Sequence, residues 1–374
     1  MKRILTLALA SALALPALAH AEKGSPLWLR HQQISPDGSQ IAFCYKGDIY
    51  TVPTAGGQAL RLTSNAAYDG TPIWSPDSRS LAFSSDREGS KDVYIVKADG
   101  SGLRRLTYSS EKEVPVAFLD GSTLLFQSYV MPDVKDGMYP WDWFVQTYSL
   151  DLSKTIARPK LYGAYPMLMP SLRGGEILYT DVKGYEDIWR KHAISPVTRD
   201  IWLRSKDGKH TKLTTFGGED RNAVWDSKGG FYYLSEREGS FNVYHRDAAT
   251  AAAADKKITS FTKDPVRFLS IASNGTLCYG FDGEIYTQTP GGQPTKVNVS
   301  IVRDQEESAI NPETIRDGVS SFAVAPSNKE IAFIVHGDVF VTHTEYGTTK
   351  RLTSTPEEER DVDFSNDGKK IVYA

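Results

Sequence analysis

The stretch that decides the fold of this chain runs from Ile73 to Thr107 and reads IWSPDSRSLAFSSDREGSKDVYIVKADGSGLRRLT. Four short apolar runs alternate in it with three turn segments, Pro76–Ser78, Asp86–Gly89 and Ala98–Gly102. Proline presets the backbone for a turn, aspartate bonds its own backbone, and glycine tolerates a positive φ. Four short strands joined by tight turns form an antiparallel meander, which predicts one blade of a β-propeller.

The same unit recurs along the chain. Ser35-Pro36-Asp37-Gly38 precedes an apolar run, as Ser75-Pro76-Asp77 does, and Ser35 lies 40 positions before Ser75. That spacing is typical of stacked four-strand units. Each copy closes on a triplet of a basic residue, an aliphatic residue and threonine. The triplets are Arg61–Thr63, Arg105–Thr107, Lys212–Thr214, Lys257–Thr259 and Arg351–Thr353.

The repeats predict an all-β fold with a six-bladed β-propeller of four-stranded antiparallel blades over residues 22–300. The sixth blade contains its own outer strand, so we expect the ring to close by packing rather than by a swapped terminal strand. The Ala-rich stretch 247–257 is the one candidate for a short helix. Residues 301–318 form a charged linker, and residues 319–374 restart the pattern as the first one to two blades of a second propeller.

The restarted pattern stops inside a hairpin. Ser365 aligns with Ser75, which puts Tyr373 at the position of Phe83, and the sequence ends at Ala374. An unpaired strand leaves backbone groups and an apolar face exposed. We therefore expect the second propeller to be truncated and the sequence to be a fragment of a longer protein.

The first 21 residues resemble a secretory signal peptide. Met1-Lys2-Arg3 is positive, Ile4 to Leu15 is apolar, and Pro16 precedes small residues. Cleavage after Ala19 and cleavage after Ala21 both fit. The alternative is a membrane anchor, but the apolar run is shorter than the roughly 20 residues that a span needs. We expect export to the periplasm of a Gram-negative bacterium.

Composition excludes some partners and limits the cysteine chemistry. A net charge of −3 with 24% charged residues gives no nucleic-acid footprint and no basic membrane patch. Cys44 and Cys278 fall in the second strand of the first and last predicted blades. Export permits a disulfide, but packed sheets lie about 10 Å apart, beyond the roughly 7 Å between Cα atoms that a bridge allows. We expect buried free thiols.

Two insertions break the regular spacing. The first, Gln127 to Leu150, carries the aromatic run Met138–Phe144. It is either an aromatic platform at the mouth of the propeller channel or a loop folded onto its own aromatic side chains, and we favour the loop because large aromatics bury well anywhere.

The second insertion runs from residue 181 to residue 200. In it Arg190, Lys191 and His192 could hold a peptide carboxylate. The alternative, which we favour, is a solvated loop in which Glu186 and Asp187 neutralise these cations.

Signals for catalysis or cofactors are missing from the sequence. It has no Gly-x-Ser-x-Gly elbow, and its glycine pairs lie in predicted turns rather than before helices. The histidines lack metal-ligand spacing. They include His31, His192, His210, His245, His336 and His343. We predict no catalytic, cofactor-binding or metal-binding residues in this chain.

Two motifs resemble known families. The Ser35–Gly38 unit with its following strands resembles the repeat of the TolB propeller and of many periplasmic propellers. The insert Gly184–His192, followed by Thr198–Trp202, resembles bacterial homologues of tricorn protease. This resemblance covers the chain from about Leu27 to its end. It implies a longer protein with a seven-bladed propeller, a PDZ domain and a serine-peptidase core, whose catalytic residues lie outside this sequence.

The resemblance implies a function for the propellers. In that family they filter and channel peptides, so the expected role is the peptide-gating region of an exported serine peptidase. The expected partners are peptides or unfolded polypeptides, with no nucleic acid, no membrane span and no cofactor; an oligomer through the full-length protein stays open. The alternatives are a stand-alone TolB-like binding module and the propeller of a prolyl-oligopeptidase relative. The restart at Val319 disfavours both. We expect no hydrolysis by this chain alone.

Overall fold

The computed structural model describes residues 28–129, 145–163, 165–184, 194–302 and 316–374. These residues are all-β and contain no helix; they accordingly include no helical segment long and apolar enough to cross a membrane. The predicted signal peptide lies outside the described residues, as do residues 303–315 of the predicted linker.

Six four-stranded antiparallel sheets follow one another between Arg30 and Lys296. The first contains β1 (Arg30–Ile34), β2 (Gln40–Tyr45), β3 (Asp48–Pro53) and β5 (Leu60–Arg61), with the short β4 (Gly57–Gln58) beside it. The second contains β6 (Asp69–Trp74), β7 (Ser80–Glu88), β8 (Ser90–Lys97) and β9 (Arg104–Arg105). The third contains β10 (Glu113–Phe118), β11 (Thr123–Ser128), β12 (Gln146–Asp151) and β13 (Lys160–Gly163).

The fourth to sixth sheets repeat this order. The fourth contains β14 (Leu168–Arg173), β15 (Glu176–Thr180), β16 (Ile201–Arg204) and β17 (His210–Lys212). The fifth contains β18 (Asp220–Trp225), β19 (Phe231–Ser235), β20 (Asn242–Arg246) and β21 (Lys256–Lys257). The sixth contains β22 (Arg267–Ile271), β23 (Leu277–Phe281), β24 (Glu284–Gln288) and β25 (Thr295–Lys296), and β26 (Val299–Ser300) follows it.

Residues 316–374 form one further four-stranded sheet and a hairpin. The sheet contains β27 (Val319–Val324), β28 (Glu330–Val335), β29 (Asp338–His343) and β30 (Thr349–Arg351), and the hairpin pairs β31 (Asp363–Phe364) with β32 (Ile371–Val372). Val362 packs into the core of the sheet. Exposed apolar side chains concentrate here, with Phe322 68% and Val372 63% exposed.

The basic-aliphatic-threonine triplets close the sheets through their side chains. Arg61 donates to the Asp48 carboxylate at 2.7 Å, and Thr63 Oγ1 accepts from the Ile49 N–H at 3.0 Å, while Leu62 is buried. The same threonine contact recurs between Thr107 and Val93, Thr214 and Ile201, Thr259 and Val243, and Thr353 and Val339. Each triplet therefore fixes the outer strand on the start of the third strand.

The first and sixth sheets pack directly against each other. Ile34 N donates to Ser270 Oγ at 3.1 Å, and Ser273 N donates to Pro36 O at 2.8 Å. In addition, β26 pairs in parallel with β4, which lies in the chain between β3 and β5 of the first sheet. The short parallel pairing joins the end of the sixth repeat to the first repeat, and the sequence pattern gave no sign of it.

Two local predictions have clear outcomes. Cys44 and Cys278 are buried free thiols in β2 and β23, as predicted. The helix predicted over residues 247–257 is wrong, since turns lead there into β21. Asp255 in this segment accepts from Arg246 Nε at 2.5 Å, and it pairs with Arg237. These ties to the sheet outweigh the weak helical tendency of a segment too short to nucleate a helix alone.

Candidate functional site: the first strands of the six sheets

The first strands of the six sheets contact one another in a closed cycle, in the order β1, β6, β10, β14, β18, β22 and back to β1. A β-bulge interrupts each of them. We call the residues at these bulges the bulge ring; its members are His31, Thr71, Val116, Met169, Asn222 and Phe268. A bulge leaves a residue outside the ladder and bends the strand, so each ring member lies outside the regular strand pairing.

Five bulge-ring residues have a left-handed backbone although none is glycine. Their φ angles run from 48° at Met169 to 55° at Phe268. A non-glycine residue in this conformation destabilises the folded state by about 1–3 kcal/mol, so it persists only where the surrounding structure fixes its backbone. At Asn222 the cause is visible, because its side chain accepts from Leu269 N at 2.8 Å and donates to Leu269 O at 2.9 Å. The neighbouring sheet thus holds this bulge in place.

The bulge ring carries no formal charge at neutral pH. Its one titratable member is His31, whose pKa burial lowers to about 4, with Arg30 and Lys91 adding to the effect. The His31 imidazole packs on Phe268, with 4.7 Å between ring centroids. Met169 is 37% exposed. The ring thus combines aromatic, thioether, amide and hydroxyl groups in a surface without formal charge.

Buried carboxylates stand at the start of three first strands. Asp69, Glu113 and Asp220 are each 0% exposed. The Arg87 guanidinium donates to both oxygens of Asp69 at 3.0 Å, and Arg237 contacts Asp220 in the same way at 3.4–3.5 Å. Burial raises the pKa of Glu113 to about 7, and the nearby Asp92 carboxylate adds to the shift.

A cavity of about 310 Å³ opens where β1 and β22 begin. Its walls include Trp28 just before β1, Phe268 and Phe281 from the sixth sheet, and Glu358 and Arg360 from the last segment. Phe268 belongs both to this cavity and to the bulge ring, so the cavity borders the ring. We call this end of the ring the mouth.

A second cleft, of about 250 Å³, lies on the fourth sheet. Its aromatic walls include Tyr165, Tyr179 and Trp202. Tyr179 Oη lies 2.8 Å from His210 Nδ1, and Trp202 Nε1 donates to Asp181 Oδ2 at 2.9 Å. Burial lowers the pKa of His210 and raises that of Asp181. The cleft stands next to the second insertion.

Most residues that the sequence singled out in the insertions lie outside the described residues. These are the aromatic run 138–144, the cations Arg190, Lys191 and His192, and the acids Glu186 and Asp187. The described histidines are spread over four sheets, with His336 and His343 on the same one. His245 Nε2, for example, is 2.7 Å from Asp226 Oδ2. Among the described residues no group of three or more His, Cys, Asp or Glu side chains is placed to hold a metal.

Sequence reasoning missed the bulge ring, although a signal for it exists. Four ring members, His31, Thr71, Asn222 and Phe268, stand four positions before the first residue after their strand, as His31 does before Ser35 and Thr71 before Ser75. The offset could have located the ring. It could not have predicted the left-handed backbone, because ring members share no residue type.

Comparison with known proteins gives a consistent result. The domain family described as "Tricorn protease N-terminal beta propeller domain" matches residues 26–293. Tricorn protease homolog 1 of Streptomyces coelicolor is 24% identical over 344 residues, which cover 90% of this chain and 30% of that protein. Putative tricorn protease homolog 2 of the same organism is 23% identical over 357 residues, which cover 90% of this chain and 28% of that protein.

A solved structure shares the fold. The crystal structure of the tricorn protease superposes with a TM-score of 0.61 at 18% identity, covering 93% of this chain and 33% of that one. The chain thus spans about a third of the length of the relatives it matches.

Proposed function

This chain belongs to the family of tricorn protease N-terminal β-propeller domains, and from that premise we propose that it is the peptide-gating region of a tricorn-like serine peptidase. In this proposal peptides or unfolded polypeptides pass along the first strands of the sheets. The peptidase chemistry belongs to other parts of the full-length protein, and this chain supplies no catalytic residue.

One observation carries the proposal: the closed cycle of first strands bears a bulge ring without formal charge. A passage that handles many sequences must not bind any side-chain charge tightly. His31 is neutral because its pKa is near 4, and the buried acids Asp69 and Asp220 are paired with arginines. The remaining ring groups make only weak, general contacts with a passing backbone.

We propose two further features of the same protein. The six sheets act as a six-bladed propeller, and residues 319–374 are the first blades of a second one, in which a neighbouring blade would cover Phe322 and Val372. The first 21 residues direct the chain to the periplasm. Both proposals rest on the repeat pattern and the N-terminal sequence.

Thiol cross-linking tests whether peptides reach the bulge ring. Cys44 and Cys278 are buried, so a Met169→Cys variant carries one reactive thiol in the ring. The matched control is Ile156→Cys, at a site 78% exposed. We expect Met169→Cys to form a mixed disulfide with an unfolded, activated-thiol polypeptide and not with a folded protein bearing the same activated thiol, while Ile156→Cys reacts with both.

The outcome separates the candidate functions. A Met169→Cys thiol that reacts with neither probe, or equally with both, would contradict passage of unfolded chains. Selective capture of folded partner proteins on the outer surface would instead favour a stand-alone binding module.

A further inference from the structure

One carboxylate joins residues 316–374 to the mouth of the ring. Glu358 Oε2 accepts from Trp28 Nε1 at 3.1 Å and from Arg360 Nη2 at 3.0 Å, and it forms an ion pair with Arg30. The Arg30 and Glu358 side chains are only 16% and 20% exposed. Three charged or polar donors on one half-buried oxygen bind it more firmly than a lone surface ion pair would.

A second contact lies beside the first. His336, in the turn between β28 and β29, packs near Tyr68, with 6.2 Å between ring centroids. The next residue, Gly337, has a φ of +80°, and a Cβ atom built on it would lie 3.3 Å from Glu358 Cγ. The turn therefore presses closely on Glu358, and both contacts form one surface.

All of these contacts fall at the mouth. Trp28 and Arg30 stand at the start of β1, and Tyr68 directly precedes β6. The β28–β29 turn stands at the corresponding end of its own sheet, because β28 runs antiparallel to β27. The ends at which the first strands begin therefore face each other. His31 of the bulge ring comes immediately after Arg30, so the docked segment lies beside an entrance to the ring.

We propose that residues 316–374 form a gate at this entrance and that Glu358 holds the gate closed on Trp28 and Arg30. The docking itself stands on the contacts alone. Only the traffic that the gate controls, peptides entering or leaving the ring, rests on the proposed function. Loss of the Glu358 charge leaves Arg30 without this partner and frees the segment to move from the mouth.

Distance measurement tests the docking in the complete chain. Spin labels are attached to cysteines introduced at the exposed positions Ser101 and Lys350, since both native thiols are buried. We expect one narrow distance distribution in the parent chain. In Glu358→Gln we expect the fraction of displaced molecules to rise about tenfold, equivalent to about 1.4 kcal/mol. Arg30→Gln is expected to act in the same direction, and the double variant to add little.

The control is Glu357→Gln, which makes the same charge change at the exposed neighbouring residue. It should leave the distribution unchanged. Distributions in Glu358→Gln and Arg30→Gln that match the parent would overturn the docking, as would a broad distribution in the parent. Circular dichroism on every variant shows that the sheets stay folded, and Arg30→Gln replaces Glu358→Gln if the latter unfolds.

Labelling kinetics test the gate. Met169→Cys is combined with Glu358→Gln, and the rates of reaction with a small and a bulky maleimide are compared. We expect Glu358→Gln to speed the bulky reagent severalfold and the small reagent hardly at all. An unchanged bulky-reagent rate together with a displaced segment would keep the docking and overturn the gate. Neither the distance measurement nor the labelling kinetics depends on capture of a peptide. The proposed function is tested separately, by thiol cross-linking to an unfolded polypeptide.

Discussion

The indole N–H of Trp74 donates a hydrogen bond to the backbone oxygen of Gln33 at 2.9 Å, across the boundary between the second and first sheets. The Gln33 side chain returns the contact, since its Oε1 accepts from Trp74 N at 2.8 Å. Trp225 and Ser171 repeat the arrangement between the fifth and fourth sheets. Neighbouring sheets are therefore joined at fixed register by polar contacts as well as by apolar packing.

Trp74→Phe should lower the free energy of unfolding by about 1–3 kcal/mol, because it leaves the partly buried Gln33 carbonyl without its donor. Urea unfolding followed by circular dichroism measures the change. Tyr346→Phe, at a residue 76% exposed, is the control and should shift stability by less than about 0.5 kcal/mol. Equal shifts in both variants would show that the indole contact adds nothing.

Arg87→Met should lower the free energy of unfolding by about 3–5 kcal/mol, because it removes the ion-pair partner of the fully buried Asp69 carboxylate. Thermal and urea unfolding give the magnitude. Lys154→Met removes a cation from an exposed pair with Asp151, whose side chains are 62% and 46% exposed, and should cost less than about 1 kcal/mol. A cost for Arg87→Met as small as that of the control would contradict a buried-charge penalty.

Glu113→Gln should remove a pH dependence of stability. The folded-state pKa of Glu113, about 7, lies above its ordinary value of 4.5, so the folded chain holds this proton where the unfolded chain releases it. Stability contributed by the protonated group is complete below pH 4.5 and is lost as the pH rises toward 7. At pH 8 Glu113→Gln should therefore be the more stable protein, by up to about 2–3 kcal/mol.

Melting temperatures of both proteins at pH 5 and pH 8 measure this difference. Glu111→Gln, at an exposed position two residues away, should leave the pH dependence of the parent unchanged. If Glu113→Gln loses stability at pH 8, the carboxylate is stabilised by a partner rather than penalised by burial.

Both native thiols should be inert in the folded chain. Burial raises the pKa of Cys44 and of Cys278 to about 12, so almost no thiolate exists at neutral pH. An aromatic disulfide reagent should titrate fewer than about 0.1 equivalents from the native protein and about two after unfolding in guanidinium. Rapid reaction of one equivalent before unfolding would show that one of the two sheets opens.

The strand pattern was predictable because it depends on local chemistry. The Ser-Pro-Asp turns form through their own side chains, as when Asp77 Oδ1 accepts from Arg79 N at 3.1 Å. Alternating apolar residues then decide which face of each strand is buried. The triplets such as Arg105–Thr107 were recognised as strand ends, whereas the roles of their arginine and threonine became clear only from the contacts with Asp92 and Val93.

The bulge ring and the mouth could not be predicted in the same way. Their members come from strands about 40 residues apart, and no local rule brings His31 beside Phe268 or Glu358 beside Trp28. The helix predicted for the Ala-rich stretch near Asp255 was wrong because of contacts from outside the stretch. Arg246 and Arg237 bind Asp255 from another part of the sheet.

The sequence by itself determined the repeating four-strand unit, its turns, the buried thiols and the family, because each of these depends on residues close together in the chain. Only the tertiary structure decided which first strands meet, where their bulges place side chains, and that Glu358 lies against Trp28 at the mouth. Those contacts join residues up to 330 positions apart, and their geometry is set by the packing of whole sheets rather than by any neighbour in sequence.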